Sequence, residues 1–228
     1  MSADPSEPDE PRRSLSPAQR RRLPMFPLPG AVLFPDALMP LHVFEPRYVA
    51  LVEHAMAHLD GAIAIATLRP GHEAEYTGRP PVYPVMGAGV IIASDDRPDG
   101  RYDIVVRGLE RVRVRRELPP TEPFREVAVT TLVDEPAVKH PLEHRLRDLL
   151  MQLAERAPAA REALHLIVSQ AESAGELTNL VGMHALSDPT LKRLLLENVD
   201  VAGRLSLACD AMGRLLLEVH SAPAGTLH

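Results

Sequence analysis

A run in which large apolar residues are broken every few positions by proline sets the tightest limit on what this chain can fold into. It reads Leu23-Pro-Met-Phe-Pro-Leu-Pro-Gly-Ala-Val-Leu-Phe-Pro-Asp-Ala-Leu-Met-Pro-Leu-His-Val-Phe-Glu-Pro-Arg-Tyr48. Proline has no N–H to give to a sheet ladder, and its ring clashes inside a helix, so neither one long helix nor a central strand fits. Two short strands separated by a loop fit, the second ending at Phe44. A helix then opens at Glu45-Pro46, where the fixed φ of proline suits a first turn.

The rest of the first half continues a sheet. Tyr48, Leu51, Val52, Ala55, Met56 and Leu59 fall at helical spacing, and Gly61 ends that helix. Ala62 to Leu68 is a small, branched, apolar run of strand length, and Pro70-Gly71 turns the chain. Residues 69–81 read as a polar loop, and Val82 to Ala93 as a further strand. Asp99-Gly100 marks a hairpin to Tyr102–Val106. Gly108 is expected to separate that strand from Arg111-Val-Arg-Val-Arg115, whose alternation points Val112 and Val114 one way and the arginines the other. Phe124 to Val133 supplies the last strand.

From about residue 136 the apolar period changes from two to 3.6. Pro141 opens a helix striped by Leu142, Leu146, Leu149, Leu150 and Leu153, with Glu143 and Arg147 paired at i,i+4. Pro158 stops it. Further helices carry Leu164 to Ala171, Leu177 to His184, Leu191 to Leu195 behind an Asp188-Pro189 start, and Val201 to Val219 behind Asp200. The expected fold class is α+β: about six mostly antiparallel strands, then an all-helical bundle. The expected division is a disordered tail over 1–22, a β subdomain over 23–135, a helical subdomain over 136–220 and a second tail over 221–228. The first tail is polar, with Met1 and Leu15 as its sizeable apolar side chains, too few to offset the entropy of ordering it.

Composition excludes several function classes. A net charge of −6 argues against a chain whose main task is coating nucleic acid or anionic membrane. The single cysteine, Cys209, rules out an internal disulfide and a multi-cysteine zinc site. No apolar run approaches the roughly 18 to 20 residues of a membrane helix, and no signal peptide core stands at the N-terminus, so a cytoplasmic protein with no membrane partner is expected. The only lysines are Lys139 and Lys192, and neither sits in a Gly-Lys-Ser/Thr phosphate loop.

Few residues offer chemistry. His54/His58 and His140/His144 have i,i+4 spacing, but each pair lacks a third ligand and the His-Glu-x-x-His order of a zinc hydrolase, so no metal site is assigned. Gly87-x-Gly89 leads into Val90-Ile91-Ile92, a strand, and reads as close backbone packing in a barrel rather than as a dinucleotide fingerprint. No nucleophile stands beside a base, and no cofactor is called for. Arg107, Arg111, Arg113 and Arg115, with Arg116, give a basic sheet face able to touch phosphates. Glu110, Glu117, Glu122 and Glu126 lie among them, and no aromatic between Tyr102 and Phe124 offers a base-stacking platform. Nucleic-acid binding on that face is therefore the weaker alternative. The apolar side chains of the opening run, Phe26, Leu28, Val32, Phe34, Met39 and Phe44 among them, exceed what one edge strand needs. Two readings stay open for them, core or exposed patch for apolar peptide.

Four segments together resemble a known family. Leu23-Pro-x-Phe-Pro-Leu-Pro-Gly-x-Val-Leu-Phe-Pro, Met39-Pro-Leu-His-Val-Phe-Glu-Pro-Arg-Tyr, Gly87-x-Gly-x-Ile-Ile and Val105-Val-Arg-Gly-Leu-Glu-Arg-Val-Arg-Val look like the N-terminal substrate-binding domain of Lon-type ATP-dependent proteases. Asp188-Pro, Lys192-x-x-Leu-Leu-Glu197 and Asp200-Val-x-x-Arg-Leu205 resemble its final helices. The resemblance implies a PUA-like pseudo-barrel followed by a helical bundle, and recognition of unfolded or degron-bearing polypeptides. It implies a stand-alone, non-enzymatic binding protein, since the phosphate loop is missing and the length leaves no room for a Ser-Lys protease. An adaptor role in protein quality control follows, with an ATP-dependent protease as partner. The alternative it leaves is an RNA-binding PUA-like module.

Overall fold

The computed structural model describes residues 14–72, 78–137 and 139–221. In chain order the elements are α1 (Pro17–Arg21), β1 (Leu23–Leu28), β2 (Leu38–Val43), α2 (Pro46–His58), β3 (Ala62–Thr67), β4 (Val85–Asp96), β5 (Tyr102–Glu117) and β6 (Arg125–Leu132). Helices follow: α3 (Pro141–Arg156), α4 (Arg161–Gln170), α5 (Ala174–Leu180) running into a π turn at Val181–Ala185, α6 (Pro189–Glu197) and α7 (Val201–Ser221).

The strands lie in the order β2-β5-β4-β3-β1-β6, and β6 pairs back onto β5. Strand β5 is long enough to do both jobs, its first half pairing with β2 and its second with β6. The result is a closed barrel of β5, β4, β3, β1 and β6, with β2 extending it along β5. Among these strands β1 and β3 pair in parallel, joined by the crossover through β2 and α2, and the other strand pairs are antiparallel.

Alternation sorts side chains between the barrel interior and the layer beneath α2. In β3, Ala62, Ala64 and Ala66 point into the barrel, where space is tightest, alongside Leu23, Met25, Met86 and Val112. Ile63 and Ile65 point out against Leu51, Val52 and Ala55 of α2. The helices close around a third cluster, built on Leu146, Leu150, Leu177, Leu205 and Met212, which also takes in Val32, Phe34 and Ala37 from the β1–β2 connection. That connection ties sheet and helices into shared packing. Its backbone crosses the sheet so closely that a Cβ on Gly87 would stand 1.9 Å from Leu33 O, and one on Gly108 1.9 Å from Phe34 O.

Two expectations are corrected here. Residues 14–22 are ordered: Ser16 and Gln19 form a reciprocal capping box at the start of α1. Leu15 is buried at the barrel end, and its N–H donates to the Glu110 carboxylate at 3.1 Å. A single buried leucine and one long-range clamp supply what composition did not show. Residues 1–13 of the expected first tail, and 222–228 of the second, lie outside the described residues. Gly108 does not break the chain into two strands. It sits inside β5 opposite Gly89, and the extra residue Leu109 is absorbed as a bulge.

Candidate functional site

A deep cleft lies where the barrel meets α6. It measures about 540 Å³ and is walled by Pro29, Gly30, Leu68, Pro70, Tyr83 and Pro189, with Arg69 and Arg193 at its polar side. Three chain segments build it. Leu68 N–H donates to Leu28 O at 3.1 Å, which extends the β1–β3 pairing and sets Pro29-Gly30 beside Leu68. Gly30 turns there with φ +66°, a conformation open to glycine, and even an added Cβ would sit only 3.7 Å from Pro189. Arg69 N–H donates to Pro81 O and Tyr83 N–H to Thr67 O, each at 3.0 Å, so this short ladder fixes Arg69 and Tyr83 against each other. The Thr67 hydroxyl donates to Ala31 O at 2.6 Å and holds the floor.

Helix α6 supplies the opposite wall. Asp188 caps it, its carboxylate accepting from Thr190 N at 2.8 Å, and Pro189 occupies the first turn. Pro189 and Arg193 stand four residues apart and share a face. The Arg193 guanidinium lies 4.4 Å from the centre of the Tyr83 ring, and that of Arg69 lies 5.4 Å from it. Arg193 is ion-paired to Glu197 at 2.7 Å. Behind this wall, Lys192 donates to Met183 O at 3.1 Å, and burial pushes its ammonium below the usual lysine range. His184 is held below its ordinary value by burial and then by the charge of Lys192.

Of the six side chains proposed from the opening run, the structure buries four. Phe26 stacks on Tyr48 with centroids 4.2 Å apart, Val32 and Phe34 join the helical core, and Met39 packs under α2. These four are core, and the expectation of an exposed patch is corrected for them. Leu28 is half-buried behind the cleft, and Phe44 is 59% exposed. The pleat explains the miss in β2: Leu38, Pro40 and His42 face outward while Met39 and Val43, one residue along, face in. Leu38, Phe44 and Ile92, the last at a bulge between Ile91 and Ala93, are each exposed on the sheet. His42 Nδ1 lies 2.6 Å from Asp103 there, and hydrogen bonds from His42 and Arg97 hold the Asp103 carboxyl below the usual carboxylate range.

The basic stripe is also redrawn. Arg113 and Arg115 are exposed and Arg107 is half-buried, but Arg111 is 2% exposed and belongs to the junction of sheet and helices. Its guanidinium donates to Leu196 O, Asn179 and Asp134. Burial, followed by the nearby charge of Arg204, pulls its pKa down to about 9. A stripe that dives under the helices at its second arginine offers phosphates a shorter run than the sequence pattern promised. Among the described residues, no three metal-ligating side chains converge. The His54 and His58 rings are 4.9 Å apart, and His140 instead caps α3.

Sequence reasoning missed Leu68, Arg69, Tyr83, Pro189 and Arg193. The one available signal was Tyr83, an isolated aromatic between Pro80-Pro81 and Pro84, in a segment otherwise read as a strand start.

Comparison with known proteins adds the following. The profile of the ATP-dependent protease La (LON) substrate-binding domain matches residues 22–214. Lon protease 2 of Myxococcus xanthus is 27% identical over 196 residues, which make up 84% of this chain and 23% of that protein. The Lon protease of Dictyoglomus thermophilum is 28% identical over 186 residues, 80% of this chain and 23% of its own length. The chain therefore spans under a quarter of the length of these relatives. Among solved structures, the N-terminal domain of the Mycobacterium avium complex Lon protease aligns with a TM-score of 0.69 at 22% identity, over 85% of this chain and 98% of that one. A Lon N-terminal domain protein from Xanthomonas campestris aligns at 0.61 and 23% identity, over 81% and 95%.

Proposed function

The chain belongs to the LON substrate-binding domain family, and on that premise we propose that it holds polypeptide segments in the cleft between the barrel and α6 without cutting them. One observation carries the choice of site. The family is defined by substrate binding, and a half-enclosed apolar cavity of about 540 Å³ lies at the junction of the sheet and helical halves, the kind of place where binding sites recur. Proline rings, Leu68 and a Tyr83 ring stiffened by two guanidinium groups give walls that lose little freedom when a segment enters. The matched region is the substrate-binding domain, which supports a binding role. Delivery of held clients to an ATP-dependent protease of the cytoplasm, as an adaptor in quality control, completes the reading.

Pro189→Glu tests it. The position is exposed, and a carboxylate in the first turn of a helix is favourable, so folding is retained while charge enters the apolar mouth. Capture of a denatured model protein, followed by fluorescence anisotropy, is expected to weaken at least tenfold. Phe44→Ser, on the outer sheet face, is the companion variant. Undiminished capture by Pro189→Glu with loss in Phe44→Ser would move the site to the outer surface.

A further inference from the structure

The cleft is apolar and at the same time cationic, in a chain whose net charge is −6. Among the described residues its lining holds Arg69 and Arg193 and no carboxylate. The charge of Arg193 is answered by Glu197. Arg69 uses its Nε–H on Val82 O at 3.3 Å and its π face on Tyr83, and among the described residues no carboxylate pairs with it. A half-enclosed apolar site with a guanidinium that no described carboxylate pairs with favours an occupant that brings apolar surface and one negative charge together.

The spacing of these features narrows the occupant. Arg69 is flanked by the apolar walls Leu68 and Pro70, so charge and apolar contact are needed within about one residue of each other. In an extended peptide, an acidic side chain next to an apolar one points to the opposite face, which would leave the acid in solvent when its neighbour enters the cleft. A C-terminal residue avoids this conflict, because its α-carboxylate and its own side chain leave the same Cα.

We propose that the cleft recognises the C-terminal end of a polypeptide, taking an apolar last residue between Leu68, Tyr83 and Pro189 and its free α-carboxylate on Arg69. This rests on the polypeptide-binding reading above and adds to it the part of the client that is held. The full chain would be titrated into a fluorescein-labelled decapeptide ending in Leu-Leu, supplied as the free acid and as the C-terminal amide. The free acid is expected to bind at least tenfold tighter, and the gap to shrink as salt is raised. Arg69→Gln, at an exposed position, is expected to erase the preference, so that acid and amide bind alike. Equal binding of acid and amide by the native chain overturns the terminus proposal and leaves polypeptide binding standing. A preference that survives Arg69→Gln overturns the role of Arg69. Binding of neither peptide removes both readings.

Discussion

The tip of the Phe34 ring stands against the bare Cα of Gly182, so near that a Cβ on Gly182 would come within 2.5 Å of Phe34 Cζ. This contact joins the β1–β2 connection to the π turn after α5, and it is where the two halves of the fold are pinned. It also shows why Phe34 cannot serve as a client contact: its ring is wholly buried. Gly182→Ala is expected to cost about 1–3 kcal/mol through overpacking, with no gain from helix propensity, because the ring has no free volume to move into. Urea denaturation followed by circular dichroism measures it, and a loss within experimental error would mean that the turn relaxes.

Arg111 and Arg204 share one carboxylate. Asp134 takes two hydrogen bonds from Arg204, at 2.6 and 2.8 Å, and one from Arg111 at 3.3 Å, while the two arginines are 0% and 2% exposed. Asp134→Ala removes the carboxylate that two buried guanidinium groups share and is expected to cost about 3–5 kcal/mol. Replacing Arg204 by Met at the same time is expected to recover part of that loss, which a double-mutant cycle resolves.

Glu117 gives the fold a pH-dependent clasp. Burial pushes its carboxyl up, but hydrogen bonds from Arg125 and Arg79 outweigh this and hold it below its ordinary value of 4.5. With the folded value below the unfolded one, the stabilisation is fully present above pH 4.5 and is lost as pH falls through the folded value. NMR titration of the Glu117 side chain is expected to show the low value, and Arg125→Ala to raise it. An unmoved midpoint in that variant would take Arg125 out of the clasp.

Helix α1 is five residues long and held by side chains rather than by propensity. The Ser16 hydroxyl caps Gln19 N, and Glu110 receives Leu15 N–H, the Arg20 guanidinium at 3.4 Å and the Thr131 hydroxyl at 2.8 Å. Ser16→Ala is expected to cost about 1 kcal/mol. Glu110→Ala is expected to release residues 14–22 while the barrel stays folded. Limited proteolysis after Arg20, Arg21 or Arg22 reads this directly, since these bonds become cleavable on release.

The sequence by itself determined the order and type of most elements, because these rest on local rules; α1 and the unbroken β5 did not follow from them. Proline at the first turn of α2, α3 and α6, the Asp99-Gly100 hairpin and the change of period near residue 136 need no knowledge of distant neighbours. The order of residues 14–22 was hidden, since it depends on Glu110, more than ninety positions away. Exposure was equally out of reach. In β2 a shift of one residue separates Met39 in the core from Leu38 and Pro40 in solvent, and the register is set by pairing with β5 rather than by β2 itself. The cleft exists only in the folded chain, since Pro29-Gly30, Leu68-Arg69, Tyr83 and Pro189 come from four stretches that no spacing rule connects. Local backbone chemistry can be read along a chain, whereas burial and convergence depend on which distant surfaces meet, and here that meeting placed Phe26, Val32, Phe34 and Met39 of the opening run in the core.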